Sequence, residues 1–379
     1  MQNFKRTFIF LVFSAFLLSF SLNAANENII RPLNANAEAG FGTAETANPD
    51  MQLKLFGFLP LKSVQTQSVP AVEVVPGGSA IGIKLYTKGL LVVDVARFET
   101  KDGAVISPAG ESGIKTGDII LKVNDSDVES NENFMQKIKE NGATPVTLTI
   151  LRKDNEFSVQ VQPEIARDSG DYKIGTWVRD SAAGIGTLTF FRKDNHKFAA
   201  LGHSIMDGDI GQEYTIQKGC IEQASVSSVI KGEKGIPGEL KGIFARDEQQ
   251  LGNVEGNNVS GIYGTIENPP DQEGILVASR FEIKEGPATI RCTIEDEAIE
   301  EYQIEIQKVM PNSGNSSKSM VIHVTDPRLL ERTGGIVQGM SGSPILQNAK
   351  LIGAVTHVFV NDPTRGYGIF AESMLEMTN

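Results

Sequence analysis

Across residues 166–379 the apolar residues come in short runs, each closed by a glycine-bearing turn, and that rhythm restricts the chain to a few β architectures. Residues 184–191, 197–201, 224–229, 261–266, 275–281, 288–294 and 303–309 read as strands, most of them spaced about a dozen residues apart. Short strands at such spacing build a barrel or a sandwich. Helical periodicity is confined to 326–332 and the end of the chain, 371–377. With 38 glycines and 7% aromatics among 379 residues, the composition also favours a mainly β chain of two or three domains.

The N-terminal third has a different texture. Lys5 and Arg6 precede an apolar run over residues 8–20, which reads as an export signal or an N-terminal membrane anchor within residues 1–25. Either form places the rest of the chain outside the cytoplasm, and whether the segment is removed stays open. Residues 26–70 form a polar linker followed by leading strands. Residues 71–165 form a first folded unit. A Pro76-Gly77-Gly78 turn leads to an alternating strand, Ser130 caps a helix carrying Phe134 and Ile138 on one face, and the strand 146–151 ends in a Lys153-Asp154-Asn155 hairpin turn. The text of 147–155 is echoed at 187–195, which is shared turn chemistry and not a repeat.

Some function classes drop out. The net charge is −12 with no basic patch, so nucleic acid is excluded as a partner. The four histidines, His196, His203, His323 and His357, do not pair with cysteines or carboxylates at metal-site spacings, and neither a metal nor another cofactor is expected. Cys220 and Cys292 are either buried thiols, the simpler reading, or one disulfide formed after export.

The stretch Gly334-Gly335-Ile336-Val337-Gln338-Gly339-Met340-Ser341-Gly342-Ser343-Pro344 carries the chemistry. Glycines on both sides of Ser341 allow a sharp bend and close approach of backbone. The strands that follow, 345–346 and 351–355, make this a tight loop feeding a hairpin. Alone it is either a Gly/Ser connector or the loop of a serine nucleophile. Phe198-Ala199-Ala200-Leu201-Gly202-His203, an apolar strand ending in a histidine 138 residues earlier, favours the nucleophile. A His-first, Ser-last order is that of chymotrypsin-like double barrels. Ser343, against Pro344 and without a glycine two residues upstream, is the decoy.

Residues 71–165 resemble a PDZ domain, through Ile81-Gly82-Ile83 before a strand and through Ser107-Pro108-Ala109, Gly113-Ile114 and Gly117-Asp118-Ile119-Ile120. That resemblance implies peptide binding by strand addition, with Ile81, Gly82 and Ile83 as the peptide-binding loop. Leu201-Gly202-His203-Ser204-Ile205, the Ser341 loop and the segment 352–369 resemble the SpoIVB (stage IV sporulation protein B) peptidases of endospore-forming bacteria. The implied fold is a PDZ-like α+β domain followed, over 166–379, by a chymotrypsin-like double β-barrel serine peptidase domain. The implied roles are Ser341 as nucleophile, His203 as base, and the N–H groups of Gly339 and Ser341 as oxyanion hole. Asp326, 15 residues before Ser341, matches the family's proposed acid, although Asp326-Pro327 also reads as a helix cap. Asp247, 44 residues after His203, is the alternative acid. His357 and Asp362 are placed to touch substrate, or are satisfied locally. The family further implies secretion into the space between forespore and mother-cell membranes, self-cleavage, and cleavage of a membrane-bound regulator that holds an intramembrane protease in check. A PDZ-bearing scaffold with an inactive protease-like domain is the competing reading.

Overall fold

The structure is a computed structural model that describes residues 50–55, 59–65, 72–214, 216–244 and 250–379. The expected export segment and most of the linker lie outside the described residues. The chain divides into two compact units, Met1–Pro70 and Ala71–Asn379. In the first, Asp50–Leu55 and Leu59–Gln65 form an antiparallel hairpin. Among the described residues no helix is long and apolar enough to cross a membrane.

The second unit is mainly β and contains two closed six-stranded barrels. In the first, Ala80–Val95 pairs with Ile216–Ile230, and the order continues through Gln250–Asn258, Gly261–Ile266 and Lys197–Ala200. The next strand, Thr176–Phe191, pairs back onto Ala80–Val95 and closes the ring. Ile81, Ile83, Leu85, Phe198, Ile221 and Ile262 fill it. The second barrel runs Gly286–Thr293, Ile299–Val309, Met320–Val324, Asp362–Phe370, Lys350–Phe359 and Pro344–Gln347. Its strands show the period of two that a one-sided core demands: Tyr302, Ile304 and Ile306 point inward while Glu301, Gln303 and Glu305 are exposed. Asn348 and Ala349, both at positive φ, make the tight turn between Pro344–Gln347 and Lys350–Phe359. This is the chymotrypsin-like double barrel expected from the sequence.

The PDZ-like part packs a third core. The C-terminal half of Ala80–Val95 pairs with Ile119–Val123, which continues to Val146–Arg152 and Asn155–Val161. Ser130 accepts a hydrogen bond from Asn133 N (3.1 Å) and so caps the helix Asn131–Asn141. Phe134 and Ile138 then drop onto Leu90, Ile120, Leu148 and Ile150.

One expectation is corrected here, that of an open peptide-binding loop. The division near residue 165 does not separate two sheets, because Ala80–Val95 is shared: its first half is a barrel strand and its second half a PDZ strand. The PDZ-like part is an insertion between two neighbouring barrel strands. Nor are Ile81, Gly82 and Ile83 an open peptide-binding loop. They pair on one side with Gly186, Ile185 and Gly184, and on the other with Gln223, Glu222 and Ile221. Their alternating apolar side chains belong to the barrel core, and neither edge is left for an incoming strand.

Candidate active site

The helix Pro327–Thr333 ends at Gly334 in the left-handed region, and the chain then enters the Ser341 loop. Gln338 is anchored first. Its N–H donates to Gly238 O (2.9 Å) and its carbonyl accepts from Leu240 N (2.8 Å), a contact supplied by the edge of Glu239–Phe244. Gly342, at φ +96°, follows Ser341, and a β-carbon there would sit 2.1 Å from Thr187 O, so only glycine fits. The strand Thr176–Phe191 grips the loop from the other barrel. Thr187 N donates to Ser341 O (2.9 Å), Thr187 Oγ1 to Gly339 O (2.9 Å) and Thr189 Oγ1 to Gly342 O (2.8 Å).

These bonds aim two amides. In a trans peptide the C=O and the following N–H point in opposite directions. Leu240 N holds Gln338 O, which turns the Gly339 N–H away from it. Ser343 holds Met340 O with both its N–H (3.0 Å) and its hydroxyl (2.7 Å), which does the same for the Ser341 N–H. Among the described residues neither the Gly339 nor the Ser341 N–H has a hydrogen-bond partner. Two uncommitted donors beside a serine hydroxyl are what an oxyanion hole requires. Ser343 itself is fully buried, in keeping with its reading as the decoy.

His203 follows Lys197–Ala200 after a reversal at Leu201 and Gly202, both at positive φ. For leucine that conformation is strained, a feature that collects at functional sites. Asn257 braces the loop, accepting from Ile205 N (2.7 Å) and donating to Ile205 O (2.9 Å). Buried Asp207 accepts from Arg179 (2.6 Å) and from the Tyr214 hydroxyl (2.7 Å). The sequence reading missed Thr187, Leu240, Asn257 and Asp207. Only the Asp207-Gly208-Asp209 turn text offered a signal.

The two loops meet at the junction of the barrels. A β-carbon on Gly342 would lie 2.5 Å from Leu201 N, and one on Gly202 would lie 2.9 Å from Thr356 Cγ2. The carbonyl of that same Thr356 accepts the Ser341 hydroxyl at 2.8 Å. The His203 ring stands 4.9 Å from the ring of His357, centroid to centroid. His203 Nδ1 lies 2.9 Å from Ser204 O, an acceptor only, so Nδ1 carries the proton and Nε2 is the free base. Burial holds the imidazole below its ordinary value, against the smaller opposing effect of that bond.

Asp326 is not part of this cluster, which corrects its expected role. Its side chain caps Pro327–Thr333 by accepting from Arg328 N (3.0 Å), and it also accepts from Gln303 N (3.1 Å) and from the Arg328 guanidinium (2.9 Å to Nη2). Arg328, followed by the backbone donors, holds the carboxyl at about 2. None of its bonds goes to His203. Asp247 lies outside the described residues. Asp362 accepts from Thr364 Oγ1 (2.6 Å) on its own hairpin. Cys220 and Cys292 are not joined in a disulfide, and burial pushes Cys292 up to about 12.

The family description "SpoIVB peptidase S55" matches residues 170–375, and "PDZ domain" matches 80–162. A putative zinc metalloprotease of Rickettsia conorii, RC0203, is 41% identical over 58 residues, 15% of this chain and 16% of that protein. The chain thus spans about a sixth of that curated relative. The Rv3671c protease from M. tuberculosis in its active form is 12% identical, with a TM-score of 0.30, over 52% of this chain and 73% of that one. Its inactive form gives 14%, the same TM-score, and 52% and 84% coverage. Those overlaps are too slight to bear on the fold, which rests on the strand pairings. The family match takes in more than half of the residues, including His203 and Ser341, and the chain belongs to the SpoIVB peptidase S55 family, as a serine peptidase carrying a PDZ domain.

Proposed function

We propose that this chain is an exported endopeptidase of spore formation in which Ser341 is the nucleophile and His203 the base. The observation that carries the chemistry is the pair of partnerless amides, Gly339 N–H and Ser341 N–H, on a loop that abuts the His203 loop. The Ser341 hydroxyl, bonded to Thr356 O at rest, turns about χ1 to give its proton to His203 Nε2 as it attacks the scissile carbonyl. The oxyanion is held by the two amides, and His203 returns the proton to the leaving amine. Water then repeats the sequence on the acyl-enzyme. Ser204 O does part of what a triad carboxylate does, fixing the tautomer without adding a negative charge.

Family membership supports the setting. The substrates are the chain itself, cut in the linker near its N-terminus, and a membrane-bound regulator whose cleavage frees an intramembrane protease to process a late sigma-factor precursor. The apolar segment over residues 8–20 supports export and membrane association, in the space between forespore and mother-cell membranes. A fluorophosphonate probe tests the chemistry. Labelling that disappears in Ser341→Ala and persists in Ser343→Ala is expected, and folded wild-type protein that takes no label would favour a peptide-binding scaffold. N-terminal sequencing of the mature protein beside Ser341→Ala tests self-cleavage: an identical N-terminus in both excludes it.

A further inference from the structure

The His357 ring packs against that of His203 and has no part in the mechanism. It lies in Lys350–Phe359, next to the residue whose carbonyl holds Ser341. The pairing of this strand with Asp362–Phe370 jumps from Val355–Gly368 to Val358–Gly366, so Thr356 and His357 together face Tyr367. That is a β-bulge, a device that re-aims side chains next to active sites. Here it turns Thr356 toward Ser317, whose carbonyl accepts its hydroxyl (2.6 Å), and sets the His357 ring against that of His203.

Among the described residues the His357 ring makes no hydrogen bond. Nδ1 is buried and partnerless, while Nε2 is not buried. A covered acceptor without a partner is tolerated more readily than a covered donor. The proton therefore belongs on Nε2, which becomes a donor. Burial, then the nearby His203 and then Lys318 push the imidazole down to about 4, so it is neutral at pH 7. Lys318 is exposed, its Nζ 5.3 Å from the centre of the Tyr367 ring, and brings positive charge to the same side.

The Ser341 hydroxyl and the His203 ring, the two groups that meet the scissile bond, lie against Thr356 and His357 respectively. We infer that His357 selects the residue before the cut, favouring a side chain that ends in an acceptor oxygen, glutamate or glutamine. This rests on the serine-peptidase reading and adds the substrate class to it. A site that offers a fixed donor discriminates against side chains that cannot accept from it.

Diphenyl phosphonate esters whose side chains mimic glutamate, glutamine, leucine and lysine read the preference directly, as the rate at which each modifies Ser341. The glutamate or glutamine ester should react about tenfold to a hundredfold faster than the leucine ester. His357→Leu should bring the favoured esters down to the leucine rate, and His357→Gln, which keeps a donor, should restore part of the gap. Lys318→Gln separates the two acceptors: a carboxylate preference narrows and an amide preference does not. Equal rates for all esters in the wild type, a leucine or lysine preference, or a His357→Leu protein slowed by one common factor would each overturn the inference. So would modification by a fluorophosphonate but by none of the esters. Protein that is folded yet inert to both reagents would instead count against the peptidase reading.

Discussion

Replacing Asp326 with asparagine separates a structural carboxylate from a catalytic one. The side chain is nearly buried, caps Pro327–Thr333, and accepts from Gln303 N and from the Arg328 guanidinium. Its carboxyl is held at about 2, against an ordinary 3.8, by Arg328 and the backbone donors. A difference of that size corresponds to about 2 kcal/mol between the charged and neutral forms. Asparagine keeps an acceptor for the cap, and Arg328 is more than half exposed, so the expected cost at pH 7 is about 1–2 kcal/mol. The sign follows from proton binding. Below about pH 4 the unfolded carboxyl takes up a proton that the folded one still refuses, so this stabilisation is present above pH 4 and fades toward pH 2. Urea unfolding of wild type and Asp326→Asn at pH 7 and at pH 3 should therefore show a gap that shrinks with acid. Fluorophosphonate labelling, taken where both proteins are folded, should differ by no more than about threefold, whereas loss of a triad carboxylate costs about 10⁴. A Ser341 labelling rate down by a thousandfold or more in a variant of unchanged stability would refute the structural assignment and restore Asp326 to the catalytic machinery.

Two further outcomes follow from the same loops. Ser343→Ala removes the shorter of the two bonds that hold Met340 O, which loosens the aim of the Ser341 N–H, so the labelling rate should fall by about tenfold, short of the 10²–10³ for an absent oxyanion donor. A rate equal to wild type would show that Ser343 N–H alone fixes that peptide. The acid limb of kcat/KM should lie below the ordinary histidine value of 6.5, because burial disfavours protonated His203 and His357 and Lys318 add no negative charge. Activity requires the neutral base, so it should persist as pH falls through 6.5 and disappear only lower. A limb at pH 7 or above would mean that a carboxylate reaches the imidazole in solution.

The sequence disclosed those parts of the site whose chemistry needs a particular side chain. Ser341 and His203 each stand in a short stretch of glycine and apolar text that few other roles require, and their order implied the double barrel. The residues that aim the oxyanion amides were illegible for the opposite reason: Leu240 acts through a backbone N–H that nearly any residue could supply. Asp326 was ambiguous because 15 residues of spacing from Ser341 is equally compatible with a cap and with a triad, and only the destinations of its hydrogen bonds decide. Ile81-Gly82-Ile83 misled for a topological reason. The same alternating text serves a groove strand and a barrel strand, and the choice between them depends on pairing with residues more than a hundred positions away. That pairing also gives the insertion its consequence. Thr176–Phe191 begins by pairing with the PDZ half of Ala80–Val95 at Trp177 and Val178, and it ends by holding Ser341 O and Gly342 O through Thr187 and Thr189. Between those two ends the pairing breaks register at Trp177/Val178 and again at Arg179/Ser181, where the partner passes from Leu91 to Tyr86, so one covalent strand serves two separately registered sheets, and text read locally cannot show where one ends and the other begins.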